Sequence, residues 1–235
     1  MKLFEAANAD DMGRMAAEIF REEIARKPDL TLGLATGTSP IPLYRELVEL
    51  CRCGKTDFSR VRTINLDEYV GLGAGHPQSY RYFMDTHLFD HINIDKAATG
   101  LPDGCAADLD RECARYDGLI EGLGYADLQL LGVGHNGHIG FNEPAPLFSR
   151  QTAVVDLTDS TIKANGRLFD DPAQVPRRAI SMSIRHIMLA RRIVLIATAT
   201  KNDIIRKAFG GDITPQVPAS ALQMHPDVTV ILSRE

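Results

Sequence analysis

The chain has 235 residues, a net charge of −5, 44% hydrophobic and 24% charged residues. That is the profile of a globular protein long enough to bury a core. It excludes a basic footprint for nucleic acid or an anionic membrane, so any anion must be held by a short local motif.

The elements follow in chain order. Met12, Met15, Ala16, Ile19, Phe20 and Ile24 recur at helical spacing. Residues 30–35 read as a strand, 36–39 as a turn, and Pro40 opens a helix continued by Ile41, Leu43, Tyr44, Leu47 and Leu50. Residues 61–66 form a second strand, 107–123 a helix, and 128–133 a buried strand followed by a Gly-rich segment. Strand 193–198, helix 201–209 and strand 228–232 complete the order. The alternation predicts a single domain over 1–235, an α/β fold of the Rossmann-like three-layer kind. Its open sheet is mostly parallel, with helices on both faces. Ligands of such folds bind beyond the carboxyl ends of the strands, so the strand exits matter most.

The first exit is Ala35-Thr36-Gly37-Thr38-Ser39-Pro40. Gly37 lets a ligand approach the backbone, Thr36, Thr38 and Ser39 bring hydroxyls, and the next helix brings unpaired N–H groups. This suits a phosphate; it equally suits a plain turn with Ser39 as N-cap. It is not a Walker loop, which needs a lysine and wider spacing. The second exit carries Asp67 and Glu68. They read either as solvated charges or, if Asp67 stands near the cradle, as a general base beside a carboxylate that points elsewhere. The third exit runs from Gly132 through His135, Asn136, His138 and Glu143 to Pro144. His138 can shuttle a proton near neutral pH, Glu143 can orient its imidazole, and Asn136 can hydrogen-bond without holding charge. His135 reads as a structural histidine. The two histidines do not make a metal site without further ligands.

The strings at 32–40, 65–72 and 132–144, supported by 76–80, 164–169, 174–176, 200–201 and 222–226, resemble the glucosamine-6-phosphate deaminase family in order through nearly the whole chain. The resemblance implies that Thr36, Gly37, Thr38 and Ser39 hold a phosphate, with Arg167 and Lys201 supplying positive charge. It implies that His138, steadied by Glu143, opens the sugar ring, and that Asp67 takes the proton from C2. An enolamine follows, then a ketose iminium, then ammonia and fructose 6-phosphate. No cofactor or metal enters this chemistry. The partner it implies is a small-molecule amino-sugar phosphate, with no nucleic acid and no membrane.

Two departures stand out. Some members carry aspartate where Asn136 stands, completing a charged relay that this chain lacks. Allosteric hexameric members carry a basic pair where this chain reads Thr152-Ala153-Val154-Val155, and a longer tail than one ending at Glu235. A monomer or small homo-oligomer with hyperbolic kinetics is therefore expected. The polar stretch 146–175, with Asn165-Gly166 as a hinge, is either a lid or a surface excursion. Cys51, Cys53, Cys105 and Cys113 read as reduced thiols; Cys51 and Cys53 stand two apart, an unusual zinc spacing. No secretory leader and no apolar run of roughly 20 residues is read, so the expected compartment is cytoplasmic. Two rival readings are a 6-phosphogluconolactonase-like hydrolase, which shares the fold and a sugar-phosphate ligand, and a non-catalytic sugar-phosphate sensor. A sensor of that kind carries a helix-turn-helix segment, for which the first helix near Ala9 leaves no space.

Overall fold

The computed structural model describes residues 1–166, 169, 171 and 174–235. Seven strands form the central sheet: β1 (Lys2–Ala6), β2 (Thr31–Leu34), β3 (Arg62–Asn65), β5 (Thr99–Gly100), β6 (Leu128–Leu131), β9 (Ile193–Ala197) and β10 (Val228–Ser233). Their order is β1-β10-β9-β6-β2-β3-β5, and every pairing in it is parallel. The inner strands show why. β2, β6 and β9 are buried along their whole length, as expected of strands covered on both faces.

Helices α1 (Ala9–Arg26), α2 (Ile41–Arg52), α3 (Tyr80–His87), α4 (Leu109–Gly122), α6 (Ile184–Met188) and α7 (Asn202–Gly210) surround the sheet. α1 starts where Asn8 accepts a hydrogen bond from the Asp11 amide, with Asp10 and Asp11 in the first turn and Arg26 in the last. From β2 the chain moves outward to β3 and β5, then returns to β6 on the other side of β2 and continues to β9 and β10. Right-handed crossovers put the helices of these two runs on opposite faces. The reversal between β2 and β6 opens a crevice at their carboxyl ends.

A second sheet is not in the sequence-based expectation. β4 (Asp67–Tyr69), β8 (Arg178–Ser181) and β7 (Ala153–Asp156) pair antiparallel in the order β4-β8-β7. Tyr69, Phe141, Leu157, Phe169, Val175 and Ala179 form its own small core. The polar stretch that reads as lid or surface excursion folds, where described, into β7 and helix α5 (Asp159–Gly166).

The far end of β8 gathers the strand exits. The Met182 amide donates to Leu66 O at 2.7 Å, just before Asp67. Ser181 Oγ accepts from the Phe141 amide at 3.1 Å, and Met182 O accepts from Asn142 Nδ2 at 2.8 Å. One strand end thus holds both the loop carrying Asp67 and the loop carrying Glu143.

Candidate active site

The crevice is a cavity of about 520 Å³, within the range of small-ligand sites. Its wall includes Thr36, Gly37, Thr38 and Ser39 from the β2 exit, Asp67 from the β3 exit, Asn136 and His138 from the β6 exit, and Lys201 after β9. The structure therefore brings these eight sequence-predicted residues together. Glu143 is not in the wall; it reaches His138 from behind. Arg167 lies outside the described residues.

At the cradle, Gly37 has φ of +100°, a left-handed conformation that strains any residue with a Cβ. A Cβ there would meet no protein atom within 4 Å, so its peptide faces the cavity bare. Ser39 is not the N-cap. That position belongs to Pro40, and no side chain caps α2. Ser39 lines the cavity beside the amino end of α2, where an anion is favoured.

Asp67 and Glu68 diverge, as alternation along a strand requires. Asp67 is 6% exposed and faces the cavity. Burial, with the neighbouring Glu68 charge adding to it, pushes its carboxyl up to about 8. Glu68 turns to the opposite side and accepts three backbone N–H groups: Tyr69 at 2.8 Å, Tyr80 at 2.9 Å and Arg81 at 2.9 Å.

The third exit carries a compact relay. His138 Nδ1 stands 3.3 Å from Glu143 Oε2. A carboxylate at Nδ1 holds the proton on that nitrogen and leaves Nε2 to exchange a proton elsewhere. Asn136 braces both partners: its Nδ2 donates to Glu143 Oε2 at 2.6 Å, and its Oδ1 accepts from the His138 amide at 3.2 Å. Asparagine here supports the carboxylate as a neutral donor. The His138 ring lies against Gly134, where a Cβ would come within 2.2 Å of Cε1.

Glu143 has two further donors that sequence reasoning missed. Thr161 Oγ1, in the first turn of α5, and Thr158 Oγ1, just before α5 at 3.2 Å, both donate to Oε1. Burial alone would push the Glu143 carboxyl up. The His138, Thr161 and Asn136 hydrogen bonds outweigh it and hold the group down at about 2. Tyr80 was also missed as a wall residue, although it lies in the matched string 76–80. It stacks on Phe141 with ring centres 5.9 Å apart and packs tilted against Tyr69 at 4.8 Å. His135, Ser160, Thr161, Asn165, Thr198 and Thr200 add to the polar lining. Asn165 lies in the matched string 164–169, whereas nothing local in the sequence signals Ser160 and Thr161; only the fold carries them to the crevice.

Among the described residues, no group of three or more His, Cys, Asp or Glu could hold a metal ion, and no helix is long and apolar enough to cross a membrane. Cys51, Cys53, Cys105 and Cys113 are free thiols.

An open parallel sheet with an anion cradle, a buried carboxylate and a His–Glu relay at its switch point defines an α/β enzyme site for a small phosphorylated ligand. The comparisons narrow the class. The profile described as glucosamine-6-phosphate isomerases/6-phosphogluconolactonase matches residues 5–231, and the chain belongs to that family. A glucosamine-6-phosphate deaminase of Lachnoclostridium phytofermentans is 53% identical over 232 residues, covering 98% of each chain. One from Geobacillus sp. is 51% identical, covering 100% of this chain and 94% of its own. The solved structure of a monomeric glucosamine-6-phosphate deaminase superposes with a TM-score of 0.98 at 42% identity, covering 100% of this chain and 98% of that one. A 6-phosphogluconolactonase from Thermotoga maritima shares the fold alone, with a TM-score of 0.77 at 17% identity over 99% of both chains.

Proposed function

We propose that the chain is a glucosamine-6-phosphate deaminase, converting glucosamine 6-phosphate and water to fructose 6-phosphate and ammonia. One observation carries this reading: Asp67, His138 and the 36–39 cradle open on a single cavity. Near-identity of fold with a deaminase, against a distant match to the lactonases, supports it.

The phosphate is held by the backbone and hydroxyls of Thr36, Gly37, Thr38 and Ser39, with Lys201 and Arg167 as its cations. That remote grip fixes the sugar carbons against the acid and base. His138 Nε2 gives a proton to the ring oxygen as the bond from C1 to that oxygen breaks, the proton of the C1 hydroxyl leaves to solvent to give the open aldehyde, and Glu143 steadies the imidazolium that precedes the transfer. Asp67 then takes the proton from C2, forming the enolamine. Proton return at C1 gives the ketose iminium. Water adds to its carbon, ammonia leaves with the C–N bonding pair, and fructose 6-phosphate remains. Atoms balance with one water consumed. Burial leaves the Asp67 carboxyl near neutrality, and the ammonium group of an arriving amino sugar lowers its proton affinity toward cellular pH, as a general base requires.

The substrate is phosphorylated, which fits a cytoplasmic enzyme. A monomer or small homo-oligomer fits the description of its structural neighbour as monomeric. A coupled assay tests the reading: glucosamine 6-phosphate should yield ammonia and fructose 6-phosphate in equal amounts, along a hyperbolic rate curve. Hydrolysis of 6-phosphogluconolactone with no ammonia from the amino sugar would replace the proposal with the lactonase reading.

A further inference from the structure

Glu68 takes no part in the steps above, yet it is one of the best-satisfied carboxylates in the chain. It is 2% exposed, lies outside the cavity wall, and faces the start of α3. Its Oε1 accepts from the amides of Tyr69 and Tyr80, and its Oε2 from that of Arg81. Ser79 Oγ accepts the next amide, that of Tyr82, at 3.1 Å. The first three N–H groups of α3 are therefore all taken, two of them by a strand residue twelve or thirteen positions earlier. A helix end is thus fastened to β4 by a side chain adjacent to the candidate base. Tyr80, the first residue of α3, lines the cavity with Phe141, stacks on it and packs tilted against Tyr69.

We propose that Glu68 is a positioning residue for this reaction: by clamping the first turn of α3 to β4, its carboxylate fixes Asp67 and Tyr80 at the reacting carbon. The inference rests on the reading of Asp67 as the base that takes the C2 proton. Capping alone would not require a carboxylate here, because an amide or hydroxyl also accepts backbone N–H groups. A buried negative charge next to Asp67 has a second consequence. Among the described residues Glu68 has no ion-pair partner, since the nearby Arg81 guanidinium is turned to Asp85 at 3.0 Å and Thr99 at 2.8 Å. Its charge is felt by Asp67 and disfavours ionisation there. Burial pushes Glu68 itself up to about 7, against the pull of its three amides. The other titratable groups around the pair are Tyr69 on β4, Tyr80 on α3, Tyr116 on α4 and Asp103 before α4. His138 and Lys201 line the same cavity as Asp67, and Ser181, opposite it on β8, is uncharged.

The test is the pH profile of kcat/KM for Glu68→Gln beside the wild type, with Tm measured on both. Removing the charge should move the acid limb to lower pH by roughly one unit. Loss of the clamp should lower kcat roughly tenfold or more, with KM little changed because the phosphate cradle is untouched. A Glu68→Asp variant keeps the charge but shortens the clamp, so its limb should stay in place while kcat falls. An unmoved limb in Glu68→Gln, with only Tm reduced, makes Glu68 a mere helix cap and overturns the proposal. Should Glu68→Gln not fold, carboxyl ¹³C titration decides. In the wild type Asp67 should ionise only after Glu68 has, in a separate step at higher pH, and ionisation of Asp67 before Glu68 overturns the proposal. Asp67→Asn turnover separates the two levels: full activity there removes the base reading itself, whatever Glu68 does.

Discussion

Asp67 and Ser181 face each other across the β4–β8 ladder, so the candidate base rides on a strand pair that does not belong to the central sheet. Ser181 also accepts the Phe141 amide of the relay loop. The base and the relay are therefore registered to one another through β8, and the second sheet acts as the jig that brings two strand exits together.

The relay predicts an asymmetric response to mutation. Glu143→Gln keeps the shape but replaces one acceptor oxygen by a donor facing His138 Nδ1 and Asn136 Nδ2. The tautomer is then no longer fixed, and kcat should fall roughly 10- to 100-fold. Steady-state kinetics at neutral pH check this. A KM effect with intact kcat would place Glu143 in binding instead.

Thr161 predicts a smaller and reversible effect. Thr161→Val removes the α5 hydroxyl that donates to Glu143 Oε1 without changing the side chain's bulk. Loss of a hydrogen bond to a charged group costs about 1.5 kcal/mol, roughly tenfold in kcat if it is felt in the transition state. Thr161→Ser should restore most of the rate. Equal loss in both variants would mean that the methyl group, not the hydroxyl, matters.

Gly134 has to be glycine for a steric reason. A Cβ would sit 2.2 Å from Cε1 and 2.3 Å from Nε2 of His138, so Gly134→Ala must displace the imidazole. A shift of about 1 Å suffices to lower kcat on the order of 100-fold. Circular dichroism should remain native while activity falls; a fully active Gly134→Ala enzyme would show that the ring position is not critical.

Asp67 sets opposite pH trends for activity and stability. Its carboxyl is raised from 3.8 to about 8, so the folded state binds a proton more tightly than the unfolded chain. That contribution to stability is complete below about pH 4 and is lost as pH rises toward 8. With Asp67 as the proposed base, activity should rise through the upper part of the same interval as the carboxylate forms. Asp67→Asn removes the cost of ionising a buried group. It should gain about 1 kcal/mol or more at pH 9, roughly 2–4 °C in Tm, and nothing at pH 4. Thermal melts at both pH values test this. Glu143 works the other way: held at about 2, it stabilises above 4.5 and loses that contribution as pH falls toward 2.

Five strands of the central sheet were legible because they are mostly buried apolar runs such as Ile193–Ala197, bounded by glycines or by amphipathic helices; β1, exposed along most of its length, and β5, two residues long, carry no such run and were not read. The second sheet was not. β4 has three residues and starts one residue after β3, so Asp67 and Glu68 read as the exit of the 61–66 strand and not as a strand of their own. β7 is half-exposed on an edge and lacks a buried run. The site was legible where chemistry is concentrated in one exit, as at His138 and Glu143. It was hidden where a residue acts only through a fold-made contact, as Thr161 does on Glu143 and Glu68 on α3. Ser39 shows the limit of local grammar: it has the chemistry of an N-cap, yet Pro40 fills that position and leaves the serine to the cradle.

Asp67→Asn turnover of glucosamine 6-phosphate tests the account most directly. The substitution keeps the size of the side chain and removes only its ability to take a proton from C2. Ammonia release should fall 10²- to 10⁴-fold, the share of a general base, while affinity for a sugar phosphate persists. Turnover within a few-fold of the wild type would contradict the account.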